Sequence, residues 1–441
     1  MTRKCIVANA GLLLLTLVVS ARGPAASAAP QQPQQGPGYT MAEYNAYQTA
    51  ANEKNPQQRV ALLDDFEVKY PKSTLLPYVY RTYYLTYYEL KNYPKTIEYV
   101  DKLLALGDKL DTLSHLEALT ARAQAFFLAS NQKALNTPEQ LTKSRAASAE
   151  GLKVLEQWTK PDNMTPEQYA QQKKSLTVLF NSIAGIASTQ LKDYKAAVDS
   201  FKGALAADPT EALNHYRLGV AYLQQEPPQY MDGFWALARS LALKVPGEAQ
   251  VRDYLRKQML RYQQTGCDKL LDDQMNELLR LAATSAERPA TYKIPSAADL
   301  QKAREETTNF IMDLKAGGDK AKLLWLAVCG LEFPEVGGKV IEVSSASDAV
   351  VLKLFFAPTP EEMEAGKTPN LEVKVEGQPE AKRLQPGEGA RFSGTLVAYD
   401  PAPFLLRWAK AKVNPEDIPP AKGQPVKKRP PTKRPAKKPG N

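Results

Sequence analysis

The stretch "LKDYKAAVDSFKGALAADP", residues 191–209, decides the fold of the first half of the chain. Its apolar residues recur at three- and four-residue spacings, which is the period of an amphipathic helix. Asp193-Tyr194 marks the turn into this helix, and Pro209 ends it because proline disfavours helix at the preceding residue. The stretch therefore predicts the second helix of a helical hairpin.

The same helical period extends in both directions, from Tyr39 to about Gly317. Prolines interrupt it at intervals, and "NTPEQ" and "MTPEQ" are typical helix starts, with Thr as the cap and Pro in the first turn. A single hairpin cannot bury its own apolar face, so neighbouring hairpins must stack. These observations predict an array of helical repeats.

Residues 178–243 resemble tetratricopeptide repeats (TPR). A second unit begins 34 residues after the first, with Leu218-Gly219 and Tyr222 in matching positions, and a less similar earlier unit covers 76–106. The resemblance implies a superhelix whose first helices line a concave, protein-binding groove. In the first unit the resemblance is carried by Gly185, where two helices must approach closely, and by Pro209, which ends the unit. A small–large–small packing ridge on the second helix completes it: Ala197, Phe201, Ala204.

From about Leu331 the hydrophobic period changes from helical to two. Five segments of strand length, separated by Gly, Pro, Asp and Ser, predict a small closed barrel. The block resembles OB-fold domains of the anticodon-binding-like kind, through its opening strand "GKVIEV" and the later piece "LQPGEGARFSGTLVAYD". The sequence shows no clear helix between the third and fourth strands, where many such barrels have one. The predicted fold class is therefore mainly helical, a TPR-like solenoid followed by a small all-β OB-like barrel.

The N-terminus predicts export. Arg3 and Lys4 precede a mostly apolar run, and Ala26-Ser27-Ala28 is a plausible cleavage site. The alternative, an uncleaved anchor, is disfavoured because the run is shorter than the ~20 residues that span a bilayer. The predicted division is a signal peptide 1–28, a linker 29–40, TPR-like repeats 41–245, a helical capping or connecting region 246–330, an OB-like barrel 331–415 and a disordered basic tail 416–441.

The net charge of +9 resides at the two ends of the chain. Residues 29–420 carry 46 basic and 48 acidic side chains, whereas 421–441 carry eight basic and no acidic ones. The tail is a candidate for docking on an anionic polymer or membrane surface, and a purely solubilising end is the open alternative. Its candidate contacts are Lys427, Lys428, Arg429, Lys433, Arg434, Lys437 and Lys438.

Motifs for catalysis are missing from the sequence. The only two histidines, His115 and His215, lie on predicted helices without further ligands at metal spacing, and no phosphate loop or nucleophile motif is present. We therefore expect no enzymatic activity, no cofactor and no small-molecule substrate. Cys267 and Cys329 remain after signal removal, and either a disulfide or two buried thiols is open, with buried thiols slightly favoured.

Binding is the remaining function. Mapping the groove positions of the TPR resemblance onto this sequence gives four candidates: Tyr78, Arg81, Tyr88 and Tyr216. The alternative for each tyrosine is ordinary packing between helices. We expect an exported, periplasmic or extracellular scaffold that binds protein partners of the cell envelope through this groove. The alternative is a binder of nucleic acid or another anionic polymer through the barrel and the basic tail, although residues 331–415 hold ten basic and twelve acidic side chains.

Overall fold

The computed structural model describes residues 38–130, 132, 135–346 and 349–421. The predicted signal peptide, most of the predicted linker and all seven candidate tail residues, from Lys427 to Lys438, lie outside the described residues. The protein forms two compact units: a helical unit that extends to Leu255 and includes Glu277–Tyr292, and a second unit made of Arg256–Asn276 and the residues from Lys293 onward.

Helices dominate the described residues, as the sequence predicts. The first ten are α1 (Met41–Asn52), α2 (Pro56–Lys69), α3 (Leu76–Glu89), α4 (Tyr93–Leu104), α5 (Thr112–Ala129), α6 (Pro138–Gln157), α7 (Pro166–Gln190), α8 (Tyr194–Ala207), α9 (Ala212–Gln224) and α10 (Tyr230–Ala242). The next six are α11 (Glu248–Gln263), α12 (Asp268–Thr284), α13 (Ala297–Glu305), α14 (Phe310–Ala316), α15 (Gly318–Val328) and α16 (Pro360–Ala365).

The helical unit is a series of hairpins in which each helix from α3 to α10 packs against the next. At the α7–α8 crossing, Gly185 faces the ring of Phe201, and a Cβ at this glycine would lie 2.5 Å from the ring. Phe201 is fully buried together with Ala197 and Ala204 on the same side of α8. Gly185 on α7 thus leaves room for Phe201, the large residue of the ridge on α8, and the two helices approach closely.

The turn between α7 and α8 has a defined geometry. Lys192 adopts a left-handed conformation with φ of 63°, and the backbone N–H of Asp193 donates to the carbonyl of Ser188 over 2.9 Å. The carboxylate of Asp193 then accepts from the backbone N–H of Ala196 and caps α8. Lys91, with φ of 56°, repeats this conformation between α3 and α4. The backbone N–H of Asn92 likewise donates to the carbonyl of Tyr87 over 2.8 Å, so the two turns share one backbone path.

The second unit contains a closed barrel of five strands: β1 (Glu332–Ala346), β2 (Ala349–Phe355), β3 (Leu371–Glu376), β4 (Gly389–Pro401) and β5 (Phe404–Val413). The strand order is β1-β2-β3-β5-β4, with β1 closing on β4 and with β3 parallel to β5. A short 3₁₀ helix, Pro379–Arg383, connects β3 to β4 and buries Ala381. The structure confirms the predicted all-β barrel after the helical region.

The barrel core continues into the preceding helices. Leu314 of α14 and Leu324 of α15 belong to one apolar cluster with the barrel interior, where Trp408 lies edge-on to the ring of Phe392. Cys267 and Cys329 form a disulfide within this unit, with their Cα atoms 5.4 Å apart. The slightly favoured alternative of two buried thiols is therefore wrong. Folding brings together two cysteines separated by 62 residues, which their spacing could not reveal.

Candidate functional site

Three of the four predicted groove residues lie on one side of α3. Tyr78, Arg81 and Tyr88 follow each other at helical spacing, and Leu85 lies between them on the same side. Tyr78 is 50% exposed and Leu85 is 42% exposed, whereas Arg81 and Tyr88 are half-buried. The fourth residue, Tyr216, is half-buried on α9.

Arg81 is occupied by an ion pair to the neighbouring hairpin. Its Nη2 donates to Oε2 of Glu117 on α5 over 2.9 Å. Burial lowers the pKa of Arg81, but Glu117 and Tyr84 raise it by more, so the net pKa lies above its ordinary value. Arg81 thus holds α3 against α5 on the exposed side of both helices.

Helix α5 extends this exposed surface. Leu113 and Leu128 are 43% and 41% exposed, and Glu117 lies between them on the same side of the helix. We call the surface formed by Tyr78, Leu85, Leu113 and Leu128 the α3–α5 face. Eight large apolar side chains are well exposed among the described residues, and four of them lie here. Concentration on two adjacent helices distinguishes this face from scattered surface leucines, which need no explanation.

Leu113 and Leu128 were missed by the sequence reasoning. The groove positions were mapped only where the TPR pattern was clear, and 111–160 keeps hairpin length but few of the pattern's residues. The available signal was weak: both leucines are separated from Glu117 by multiples of the helical repeat, on a side of α5 otherwise made of small and polar residues.

Three tyrosines of α3 and α4 are core residues, Tyr83, Tyr84 and Tyr99, and Tyr80 and Tyr87 pack against the same cluster. Tyr83 stacks on Tyr99 with ring centroids 3.9 Å apart, and its hydroxyl donates to Asp64 over 2.7 Å. Lys102 lies 4.3 Å above the ring of Tyr99. Burial raises the pKa of Tyr83 far above its ordinary value, and the hydrogen bond to Asp64 raises it further. The packing alternative thus describes these tyrosines.

Tyr88 is a predicted groove residue that also packs between helices. Its ring meets Tyr93 edge-on at 5.8 Å, and burial raises its pKa, with Tyr93 contributing in the same direction. One side of this ring therefore belongs to the α3–α4 contact. Tyr78 is the most exposed of the predicted tyrosines, and it also contacts Tyr47 of α1 at 6.2 Å.

The outer surface of the barrel carries paired charges. Lys353 donates to Glu342 over 2.8 Å, and Arg407 pairs with Asp400 at 2.7 Å. Arg391 donates to Asp417 over 2.9 Å. Among the aromatic residues of the barrel, Phe392 and Trp408 are buried in the core, and four others are half-buried: Phe355, Phe356, Tyr399 and Phe404. These cations already have carboxylate partners, which reduces their attraction for a phosphate backbone.

An open pocket of about 520 Å³ lies beside β1, β4 and α16. Its floor is glycine-rich, and its walls include Phe356, Met363 and Arg391. Lys339 in this pocket donates to the backbone carbonyl of Glu364. Three charged side chains of the lining thus have contacts within the barrel itself: Lys339, Arg391 and Asp417.

The two histidines have structural contacts. His115 Nε2 lies 2.9 Å from Glu150, and His215 Nε2 donates to the carbonyl of Pro209 over 2.9 Å. Burial lowers the pKa of His215. Across the described ranges, no group of three or more His, Cys, Asp or Glu side chains is placed to hold a metal ion. No helix in those ranges combines the length and apolar character needed to cross a bilayer.

No protein-family model and no curated protein matches this sequence. Among solved structures, the C-terminal part of a TPR repeat-containing protein from Cytophaga hutchinsonii is similar, with 15% sequence identity and a TM-score of 0.24. The alignment covers 55% of this protein and 94% of that one.

Proposed function

We propose that this protein is an exported, non-enzymatic scaffold that binds a protein partner of the cell envelope through the α3–α5 face. The observation that carries the proposal is the concentration of exposed apolar side chains on these two adjacent helices. Burying such a patch against a partner is favourable in proportion to the apolar area removed from water. A stack of helical hairpins supports this role, because it presents an extended surface built from successive helices.

Two further observations support the location and the fold assignments within this proposal. The Cys267–Cys329 disulfide fits an oxidising compartment, where such bonds persist. The barrel's strand order and its parallel β3–β5 pair fit the OB-like assignment, and the hairpin geometry at Gly185 and Lys192 fits the TPR-like one. The mutual pairing of barrel charges favours a protein ligand over an anionic polymer.

The proposal is tested by crosslinking from defined positions. A photoactivatable phenylalanine analogue is placed at Leu85, at Leu128, or at Val68, and the full-length protein is crosslinked in cells. Val68 is the matched control because it is 81% exposed on α2, outside the α3–α5 face. We expect one protein to crosslink from both Leu85 and Leu128 and not from Val68. Identical products from all three positions, or none from the face, would refute the proposal.

The same experiment with a variant lacking residues 422–441 examines the polymer-binding alternative. A scaffold retains its crosslinks without the tail. If binding to envelope polymer or lipid is instead recovered only with the tail present, and disappears as salt rises, electrostatic docking by the tail is the function. In that case the α3–α5 face is not the binding surface.

A further inference from the structure

The pocket beside β1, β4 and α16 offers apolar walls to an occupant. Phe356 and Met363 line it and are half-buried, so each keeps apolar surface that a bound group could cover. Strand glycines often mark places where another backbone approaches closely. Above Gly389 the pocket is open, because a Cβ there would meet no atom within 4 Å. The volume of about 520 Å³ lies in the usual range for ligand-binding pockets.

Negative charge is in excess on one wall of this pocket. The guanidinium of Arg391 faces three carboxylates: Asp417 at 2.9 Å, Glu416 at 3.4 Å and Glu335 at 3.9 Å. One guanidinium cannot neutralise three carboxylates. The side chains of Glu416 and Glu335 are 81% and 62% exposed, so they remain accessible to a further cation.

Helix α16 adds further carboxylates to the same pocket. Glu364 lines it, and Glu361 lies three residues earlier, so the two share one side of the helix. Lys339, the second cation of the lining, donates to the backbone carbonyl of Glu364 and not to its carboxylate. Both glutamates are exposed, and neither forms an ion pair with any residue that the structure describes. The pocket therefore combines apolar walls with an acidic rim.

The segment that follows the pocket in the sequence has the complementary charge. Asp417 lines the pocket, and the tail, residues 422–441, begins five residues later. The tail carries eight basic and no acidic side chains. Its first basic cluster, Lys427-Lys428-Arg429, directly follows Pro425-Val426. The tail thus supplies apolar residues for the walls and cations for the rim.

The connection between the pocket and this cluster suits docking within one chain. Lys427 lies ten residues after Asp417, and ten residues span at most about 35 Å. A connection of this length keeps the cluster near the pocket at an effective concentration of about 1 mM. A contact that is weak between separate molecules is therefore populated within a single chain.

We propose that residues 425–431 of the tail dock into this pocket of their own chain. Val426 then contacts the apolar walls at Phe356 and Met363, and the basic cluster pairs with the carboxylates of α16. The occupant is a segment of this protein and not a second molecule. The docking does not depend on the α3–α5 face, and it gives the cations of the tail a partner other than an external anionic polymer or membrane surface.

The test is photocrosslinking in the purified protein with its tail present. A photoactivatable phenylalanine analogue replaces Met363, and the crosslinked peptides are identified by mass spectrometry. Val397 is the control position, because it is 45% exposed on β4 and does not line the pocket.

Two pairs of substitutions test the acidic rim. Glu361→Gln with Glu364→Gln removes two carboxylates of α16 and keeps side chains of nearly the same shape. Glu305→Gln with Glu306→Gln is the matched control, since it removes two exposed carboxylates at the end of α13, outside the pocket lining.

We expect position 363 to crosslink to residues 422–441 in a product with the mass of one chain, and position 397 not to do so. At a salt concentration that halves this crosslink, the α16 pair of substitutions should lower the yield about two- to tenfold, as for the loss of two exposed ion pairs. The α13 pair should leave the yield unchanged. The comparison of positions 363 and 397 keeps every carboxylate, so it does not depend on how the Gln variants fold.

Three results would overturn the inference. If position 363 gives no crosslink to the tail, the tail does not occupy the pocket. If the tail crosslinks only in a product with the mass of two chains, the occupant is a second copy of the protein. If positions 363 and 397 crosslink to the tail equally, or if both pairs of Gln substitutions act alike, the tail responds to surface charge in general and not to this pocket.

Discussion

Replacing Gly185 by alanine tests the contact on which the hairpin architecture depends. The added methyl group would lie 2.5 to 2.7 Å from three ring atoms of Phe201, well inside van der Waals contact. Phe201 is buried in a cluster with Val198 and Tyr222 and has little room to move. Overpacking of this kind costs about 1–3 kcal/mol. Alanine gains about 1 kcal/mol over glycine inside a helix. We therefore expect a net loss of up to about 2 kcal/mol in the free energy of unfolding, so that Gly185→Ala is less stable than a glycine-to-alanine change that meets no such contact.

Gly203 provides the matched control on the partner helix. A Cβ there would lie 2.6 Å from the side-chain oxygen of Asn181, which is the end of a flexible, half-buried side chain. Asn181 can move aside, so Gly203→Ala should keep most of the helix-propensity gain of about 1 kcal/mol. Adding Phe201→Leu to Gly185→Ala should recover stability relative to the sum of the two single changes, because the two residues are in contact.

The assay is urea unfolding of the purified protein, followed by far-ultraviolet circular dichroism, which reports mainly on the helices. The expected order of midpoints is Gly203→Ala at or above wild type, and Gly185→Ala below it. If both glycines respond alike, the Gly185–Phe201 contact does not control the packing of α7 against α8. The reasoning that links the sequence pattern to the hairpin would then be refuted.

Three further predictions concern local features of the fold. Lys192→Gly should raise the unfolding free energy by up to about 1 kcal/mol in the same urea assay. A left-handed L-residue costs about 1–2 kcal/mol, and the greater entropy of glycine in the unfolded state cancels part of the gain from removing that cost. A loss of stability would contradict this expectation. Burial raises the pKa of Tyr84 to about 12. The stability that depends on the neutral Tyr84 hydroxyl is therefore complete below about pH 10, its pKa in the unfolded chain, and is lost between about pH 10 and 12. Urea midpoints should fall over this window, and they should fall less in Tyr84→Phe. Cys267→Ser should lower the thermal midpoint seen by tryptophan fluorescence. The accompanying loss of unfolding free energy has a ceiling of about 4 kcal/mol, the value for a closed loop of 62 residues. Reductant should reproduce the effect in the wild-type protein and add nothing to the variant.

The sequence predicted the elements that depend on local pattern. The α8 segment carries its own turn, cap and periodicity, so its limits and its partner helix follow from residues 191–209 alone. The sequence signal for the five strands was equally local, because each segment alternates or runs apolar between turn residues. The contact of Gly185 with Phe201 was predictable because the repeat places a small residue opposite a large one.

What escaped prediction depends on distant segments that meet only after folding. The disulfide joins a loop after α11 to the end of α15. The ion pair of Arg81 with Glu117 spans 36 residues, and nothing in either helix alone marks it.

The exposed apolar side chains of the α3–α5 face are too few to hold a partner at micromolar affinity by themselves. Full burial of a large apolar side chain is worth about 1.5–3 kcal/mol, and the four side chains of this face retain roughly half of that for a partner. Their combined contribution is about 3–6 kcal/mol. Association itself costs at least about 4 kcal/mol in lost freedom of motion, so apolar contact alone gives very weak binding. A partner held at micromolar affinity, about −8 kcal/mol, needs further contacts of high value per residue.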